Sequence, residues 1–429
     1  MKLKRVSLVS IVEFLFVVSV AISGGTMYGV MDSFYVKGIN DFTLRILCMA
    51  MSCVLIGIYI INKRIAITRK QALFFSFSVL YFVLYLTVTR YRINSCLEGL
   101  CIPFMLFYVL SCLNGSEKFF TMFFDTYSTI FYWLAIISLI LFLDGNFFEI
   151  FPRMSMEYFN NGWWYPGTNS FFLAFINEWQ RIDAFGMTIY KNIGIFMEAP
   201  GFAFPLVVSL WWEYFGRPTF NKKHVLVFLI TLVSTFSAKG IIIGIFVTFL
   251  FMYSKASDRI VFWKRIKRLL ILPILGVAIL IVAKVLGTKI SASTGTHGSW
   301  ATRVSDVWAA WTTWMEHPFF GAGFYNLPEI YKHYIPERHN GAPTMGLLNV
   351  LAFGGIYMFV GYLGGLLRFY LKGNYRKCRL MLRSFLCIVL AFMCTSGIQY
   401  NYTLISFIAM GWSIKASDFK GLNSVNLKG

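Results

Sequence analysis

Histidines that could act as bases or metal ligands are concentrated in one stretch of the chain. Four of the five histidines lie within residues 288–342, at His297, His317, His333 and His339. Their spacing matches neither HxxxH nor HExxH, so the pattern predicts no metal site. A general base needs only one imidazole beside the reacting hydroxyl. His339, between Arg338 and Asn340, is the best single candidate for that role; the alternative is a surface imidazole without a role.

Several charged side chains lie where polar segments meet apolar runs, and charges at such positions are costly and tend to be functional. Lys191 and Glu198 are at i and i+7, so they share one face if a helix begins by residue 191. Lys239 lies in a turn between two apolar runs, where the alternative is a lysine that only reaches the membrane surface. With Arg181 and Arg303, these lysines form a set of cations suited to a diphosphate, which arginine binds bidentately.

The elements that must position these residues are apolar runs long enough to cross a bilayer. The chain of 429 residues is 58% hydrophobic and only 14% charged, whereas soluble domains have about 25% charged residues. Runs of about 16–25 residues match about 30 Å of hydrocarbon. They lie near residues 8–28, 43–61, 71–89, 98–113, 119–143, 193–215, 224–238, 240–253, 269–287, 343–370, 384–399 and 402–414.

These runs predict an all-α, polytopic membrane protein with about twelve transmembrane helices. The number falls to about ten if residues 224–253 and 384–414 each form one long tilted helix. The net charge of +20 comes from Lys and Arg clustered in short connections between the runs. That is the positive-inside pattern and does not indicate a nucleic-acid partner. It predicts that both termini are cytoplasmic.

Two outer loops of about 50 residues each exceed the usual connection length and are expected to carry function. The predicted organisation is N-terminal helices with about five spans, an outer loop, central helices, a large outer loop, and C-terminal helices with a cytoplasmic tail. Their residue ranges are 1–143, 144–192, 193–287, 288–342 and 343–429.

The large outer loop contains a helical pattern. Apolar and aromatic residues recur at helical spacing and Pro318 ends the run after Glu316. The residues of this stripe are Trp300, Val304, Val307, Trp308, Trp311 and Trp314. We expect an amphipathic helix that lies on the outer surface of the membrane.

Three stretches resemble motifs of the O-antigen polymerase (Wzy-type) and O-antigen ligase superfamily of membrane glycosyltransferases. Residues 191–201 resemble the RxxGxFxEPG element, with Lys191 in place of arginine and Ala199 inserted before the proline. Residues 234–240 resemble a small-residue turn rich in Ser and Thr. Arg303, the tryptophans that follow, residues 317–323 and His339 with Asn340 resemble the outer-loop pattern of Arg, Trp, PxxGxG and HN.

The resemblance implies a GT-C-like helical fold and a metal-independent glycosyltransferase without a cofactor. Its substrate would be an oligosaccharide on undecaprenyl diphosphate, with the bilayer and a chain-length regulator protein as partners. A diphosphate leaving group needs cations and the incoming hydroxyl needs a base. By resemblance, Arg303 stabilises the diphosphate and His339 activates the acceptor hydroxyl. The secondary candidates for substrate binding are Lys191, Arg181, Glu198, Lys239, Arg338 and Asn340.

The favoured function is a polymerase that joins repeat units of O-antigen, capsule or exopolysaccharide on the outer face of the bacterial inner membrane. One alternative is an O-antigen ligase, which transfers the finished glycan to lipid A core or another acceptor. An alternative of another class is a flippase for lipid-linked oligosaccharides. Transporters usually have repeat symmetry and short outer loops, and neither feature is evident in this sequence.

Overall fold

A computed structural model describes residues 7–29, 41–62, 67–160, 163–184, 187–217, 219, 221–256, 299–335, 343–372 and 376–414. Most of them are helical. The first helices are α1 Leu8–Ile22, α2 Asp41–Ile61, α3 Arg69–Thr89, α4 Ile93–Cys96, α5 Ile102–Asn114 and α6 Ser116–Leu143. The later helices are α7 Ala199–Phe215, α8 Lys222–Ser234, α9 Ala238–Ala256, α10 Ser299–Glu316, α11 Leu327–Tyr331, α12 Gly346–Lys372, α13 Arg376–Met393 and α14 Tyr402–Ser413.

Five described segments are long and apolar enough to cross a bilayer. They are Phe42–Ile61, Arg69–Thr89, Ile93–Asn114, Ser116–Phe148 and Gly346–Arg368. In the second of these, which is α3, only 6% of the apolar window is buried within the protein. Such an exposed apolar surface requires lipid around it. The protein is therefore a helical membrane protein, as its composition predicts.

Residues 224–253 and 384–414, for which one long tilted helix was the alternative, each form a pair of helices. The first helix of one pair, α8, starts beside the last turn of α7, where His224 Nδ1 lies 3.0 Å from Glu213 Oε1. Its other end meets Asn192, whose N–H donates to the Ser234 carbonyl at 3.0 Å. The partner helix α9 returns, since Thr248 lies 3.2 Å from the Tyr214 hydroxyl near the end of α7.

The pair α13 and α14 is built in the same way. The Trp211 indole N–H donates to the Met381 carbonyl at 3.0 Å near the start of α13. Asn401, which caps α14, donates to the Gly24 carbonyl at 2.9 Å just beyond the end of α1. The last residue of α14, Ser413, lies 2.6 Å from Ser111. Both α13 and α14 therefore run the length of the bundle in opposite directions.

The first long loop is a folded structure of strands, which an all-α fold does not include. The strands are β1 Met154–Asn160, β2 Trp163–Ser170, β3 Ala174–Asn177, β4 Arg181–Ala184 and β5 Met187–Tyr190. The first three form an antiparallel sheet in the order β1-β2-β3, and β4 pairs with β5 in a separate hairpin. The aromatic and β-branched residues of this loop favour strands, so its aromatic content reflects sheet structure as well as any contact with the membrane.

The predicted helix of the second loop is confirmed as α10, but its packing face is the less apolar one. Asp306, Ala309 and Ala310 are buried, the two alanines against Phe353 of α12. Trp308 is 62% exposed, and Val304, Val307 and Trp311 of the same stripe are also exposed. Small side chains permit the close approach of α10 to α12, and Trp308 and Trp311 face away from the protein.

We call the end of the bundle that carries both long loops the loop end. The other end contains a buried charge cluster in which Glu213 accepts hydrogen bonds from Ser128 at 2.8 Å and contacts Arg217 at 3.0 Å. The candidate site residues that the structure describes all lie at the loop end.

Candidate site at the loop end

Residues 192–198 connect the β4–β5 hairpin to α7 as an irregular segment that is buried from Asn192 to Phe196. Asn192 fixes its start, because its side chain donates to Ser234 Oγ at 3.0 Å and accepts the Gly194 N–H at 3.1 Å. Gly194 has φ of +54°, and a Cβ there would lie 2.9 Å from the Phe202 ring. A left-handed backbone against an aromatic ring requires glycine. The backbone conformation and the close Phe202 ring therefore explain why glycine occupies this position of the RxxGxFxEPG-like element.

The helical face expected for Lys191 and Glu198 does not exist, because α7 begins at Ala199. The two residues are linked instead through Gln180. The Lys191 N–H donates to the Gln180 carbonyl at 2.8 Å, and Gln180 Oε1 accepts the Ala199 N–H at 2.9 Å. Glu198 is exposed at the N-cap of α7, and Arg181 is exposed on β4. The Pro at position 200 lets the helix start immediately after Glu198.

Lys239 is tied to the turn that follows α13. Its ammonium donates to the Thr395 carbonyl at 2.8 Å and to the Ser396 hydroxyl, and it lies 5.9 Å from the Phe392 ring centroid. The next residue, Gly240, packs so closely on α7 that a Cβ would lie 2.5 Å from that of Ala203. Lys239 therefore joins α9 to the turn after α13, and its neighbour Gly240 contacts α7 five residues after Glu198.

Arg303 lies on α10. Ser305 and Asp306, two and three positions after it, accept hydrogen bonds from later parts of the same loop. Ser305 Oγ accepts the Ile335 N–H at 3.2 Å. Asp306 Oδ2 accepts the Thr344 N–H at 2.9 Å and its hydroxyl at 2.7 Å. The segment 336–342 thus leaves and rejoins the described part of the chain at adjacent positions of α10. Arg338, His339 and Asn340 belong to that segment and lie outside the described residues.

The turn at residues 318–323 docks on a break in α12. Gly355 within that helix has φ of +67° and ψ of −173°, which frees the carbonyls before it. Those of Ala352 and Phe353 accept the N–H groups of Ala322 at 2.8 Å and of Gly323 at 3.1 Å. Side chains at either Gly321 or Gly355 would meet the opposing backbone. The PxxGxG-like motif is therefore a backbone joint between the second long loop and a membrane helix.

Two buried acceptors lie beside the end of the undescribed segment. Asn349 donates to the Pro343 carbonyl at 2.9 Å, while its Oδ1 accepts no hydrogen bond from any described residue. The same holds for Gln399 Oε1, which would lie 3.1 Å from a Cβ at Gly346. Buried acceptors normally have a donor. Both are suited to accept a hydroxyl, from water or from a sugar.

One group of described residues has the donor set for a metal ion. Ligand atoms of Glu316, His317 and Glu329 lie within 4.8 Å of one another. The two carboxylates already have other partners, His333 for Glu316 at 3.1 Å and Lys332 for Glu329 at 2.7 Å. The group is largely exposed, and its first member, Glu316, is thirteen positions after Arg303, about 20 Å along the helix. It is separate from the proposed cationic site.

Sequence patterns missed the residues that join the loop end together. The hydrogen-bond partners of Gln180, Asn192 and Asp306 lie far away in the sequence. Of the three, only Asp306 has a local signal, which is the set of small residues on its face of α10. Tyr28 is a further example: burial raises its pKa to about 12, and its hydroxyl donates to the Phe172 carbonyl beneath the first sheet.

Comparison with known protein families finds no matching family model, and comparison with curated proteins finds no match. The resemblance to O-antigen polymerases and ligases therefore depends on the three motifs alone.

Proposed function

We propose that this protein is a polymerase that joins oligosaccharide repeat units carried on undecaprenyl diphosphate, at the outer face of the bacterial inner membrane. In this proposal the chain crosses the membrane about twelve times, with both termini in the cytoplasm and the loop end outside. The resulting glycan would be an O-antigen, a capsule or an exopolysaccharide.

The observation that carries the proposal is that the residues flanking 336–342 on both sides are hydrogen-bonded to α10 beside Arg303. Ser305 and Asp306 hold these two flanks on α10, two and three positions after the arginine. His339 is four residues beyond Ile335, and covalent geometry keeps it within about 14 Å of that residue. A cation for the diphosphate and an imidazole for the hydroxyl would thus serve one reaction centre.

The proposed chemistry is a metal-independent transfer at an anomeric carbon. The glycosidic bond to the diphosphate breaks as the acceptor hydroxyl attacks, and His339 takes the hydroxyl proton. Arg303 stabilises the charge that develops on the departing diphosphate. Arg338, Asn340, Lys191 and Arg181 are proposed to bind the substrate around that centre.

Glu198 and Lys239 have secondary roles in this proposal. The exposed carboxylate of Glu198 is suited to accept sugar hydroxyls. Lys239, whose ammonium holds the Thr395 carbonyl, supports the turn that carries Gln399.

An O-antigen ligase is the alternative within the same chemistry, because the two activities differ mainly in the acceptor. The element around Glu198 favours polymerase. A lipid-linked oligosaccharide flippase is the alternative from another class, and the elaborate fold of both long loops argues against it.

The test compares Arg303→Ala and His339→Ala with matched controls from the same loop, Lys332→Ala and His333→Ala, in the native host. Both test variants are expected to lose polymer at unchanged protein level, while unextended lipid-linked units still reach the outer face. The controls are expected to make chains of normal length. Units trapped on the inner face in Arg303→Ala would support transport, and normal chains in His339→Ala would remove His339 from the mechanism.

A further inference from the structure

An apolar groove of about 210 Å³ lies on the membrane-facing side of the bundle, between α3 and α12. Its floor consists of residues from α5 and α14, such as Phe104 and Ile408, which are buried. Its rim is exposed at Phe77 of α3 and Tyr357 of α12. The groove therefore opens sideways, toward the surface that lipid covers.

The two ends of the groove differ. At one end Trp412 stacks on Phe74 with ring centroids 4.5 Å apart, and Arg368 lies 5.0 Å above the Trp412 ring. At the loop end, Phe320 lies 6.4 Å from Tyr81 and 5.6 Å from Tyr357, measured between ring centroids. Phe320 belongs to the turn docked on the break in α12, so the groove begins directly beneath that joint.

The dimensions and the lining indicate a single lipid chain. The volume is below the roughly 300–1,000 Å³ of pockets for compact small molecules. A phospholipid brings two chains to the membrane, whereas a polyprenyl lipid brings one. Aromatic rings along the groove offer large apolar contact surfaces to such a chain.

Two cations at the loop end of α3 indicate which way the lipid faces. Arg90 and Arg92 are exposed and directly follow the end of α3 at Thr89, which is about 10 Å beyond the groove residue Phe82 at helical rise. Both have a left-handed backbone, with φ of 51° and 43°. The two guanidinium groups are suited to a diphosphate at the membrane surface.

We propose that the groove between α3 and α12 binds the polyprenyl chain of one of the two lipid-linked units that the reaction joins, with its diphosphate toward Arg90 and Arg92. This inference deepens the proposed function and rests on it for the identity of the lipid. It adds a binding surface in the N-terminal helices, where the family motifs are absent.

Two glycines allow a matched test. A Cβ at Gly361, which lines the groove, would meet nothing within 4 Å, and the same is true of Gly57 in α2. Gly361→Leu therefore adds a side chain to the groove with no clash at its Cβ, whereas Gly57→Leu adds the same side chain elsewhere on a membrane helix. Gly361→Ala is a milder second variant, in case the leucine impairs folding.

The experiment uses the full chain in phospholipid nanodiscs and a diazirine-bearing undecaprenyl diphosphate as the probe. Crosslinked peptides from α3 and α12 are expected in the wild type and in Gly57→Leu. Labelling of these peptides should fall about tenfold in Gly361→Leu and less in Gly361→Ala. Geranyl diphosphate, which lacks a long tail, should compete poorly.

Equal labelling of Gly361→Leu and the wild type would overturn the groove assignment. So would a diazirine-bearing phosphatidylethanolamine that labels the same peptides and resists displacement by undecaprenyl diphosphate. The binding readout requires no sugar transfer, so a protein that binds the probe in the groove yet makes no polymer in cells would contradict the polymerase proposal alone.

Discussion

Asp306 and Thr344 are joined by two hydrogen bonds across 38 residues of sequence, one from the Thr344 N–H at 2.9 Å and one from its hydroxyl at 2.7 Å. The carboxylate is fully buried in the face of α10 that packs toward α12. This pair holds Thr344, which follows the undescribed segment by two residues, on the helix that carries Arg303. Together with the Ser305–Ile335 hydrogen bond and the turn docked on α12, it positions the second long loop.

Removing the Thr344 hydroxyl is expected to loosen that attachment. Thr344→Val loses one bond to a charged acceptor, worth about 1.5–3 kcal/mol, and should lower both thermal stability in detergent and polymer yield. Thr312→Val is the matched control, because its hydroxyl bonds only the preceding turn of the same helix, to the Trp308 carbonyl at 2.9 Å. Equal stability and equal polymer yield in the two variants would show that the hydrogen bond between Thr344 and Asp306 contributes to neither.

The joint between the outer loop and α12 should tolerate no side chain at Gly355. Gly355→Ala places a methyl group against the Phe319 carbonyl in a backbone region reserved for glycine, at a cost of about 1–3 kcal/mol before steric repulsion. Gly361→Ala, in the same helix with open space around it, should be neutral or stabilising by about 0.5–1 kcal/mol. The measurement is the melting temperature of the purified protein, and a stable Gly355→Ala would contradict the observed joint.

Labelling of Cys394 tests which side of the membrane the loop end faces. Cys394 is exposed just after α13, beside the turn that binds Lys239. In a background with Cys394 as the single cysteine, a membrane-impermeant maleimide should label intact spheroplasts. Burial raises the pKa of this thiol, so labelling should quicken as the pH rises through a range above that of a free cysteine, because the thiolate is the reactive form.

The control for that experiment lies at the other end of the bundle. Lys223→Cys, at the exposed start of α8, should react only after permeabilisation when Cys394 is replaced by Ser. Labelling of Lys223→Cys in intact spheroplasts, in this variant without Cys394, would contradict the proposed topology.

Chelation is expected to leave glycan extension unchanged. The proposed transfer uses Arg303 and His339 and no metal. Glu316, the member of the Glu316, His317 and Glu329 group that lies on α10, is about 20 Å from Arg303 along that helix. The check is the chain-length distribution formed by membranes with lipid-linked substrate, with and without EDTA. A loss of activity that a divalent ion restores would instead assign a catalytic or structural metal to the loop.

The fold was predictable where one pattern determines one element. The apolar runs gave most of the membrane helices, and the tryptophan stripe ending at Pro318 gave α10. The five strands within residues 154–190 were missed, because this stretch is rich in aromatic residues and both interfacial segments and small sheets share that composition.

The site was less predictable, because its connections are long-range. Lys191, Glu198, Lys239 and Arg303 were identified by type and motif, yet the helix expected from residue 191 begins eight residues later at Ala199. No local pattern pairs Gly321 with Gly355 or Asp306 with Thr344, since each partner has meaning only in the folded chain. The groove between α3 and α12 is invisible in sequence for the same reason.

The most direct test of the polymerase proposal is to identify the lipid-linked intermediates that accumulate when the gene is deleted in its native host. Surface glycan and lipid extracts would be examined by gel electrophoresis and mass spectrometry, with the wild-type gene restored as the control. We expect single repeat units, free on undecaprenyl diphosphate or attached to the normal acceptor, and no longer chains. Long chains held on undecaprenyl diphosphate, or unextended units confined to the inner leaflet, would contradict polymerisation and indicate a ligase or a flippase respectively.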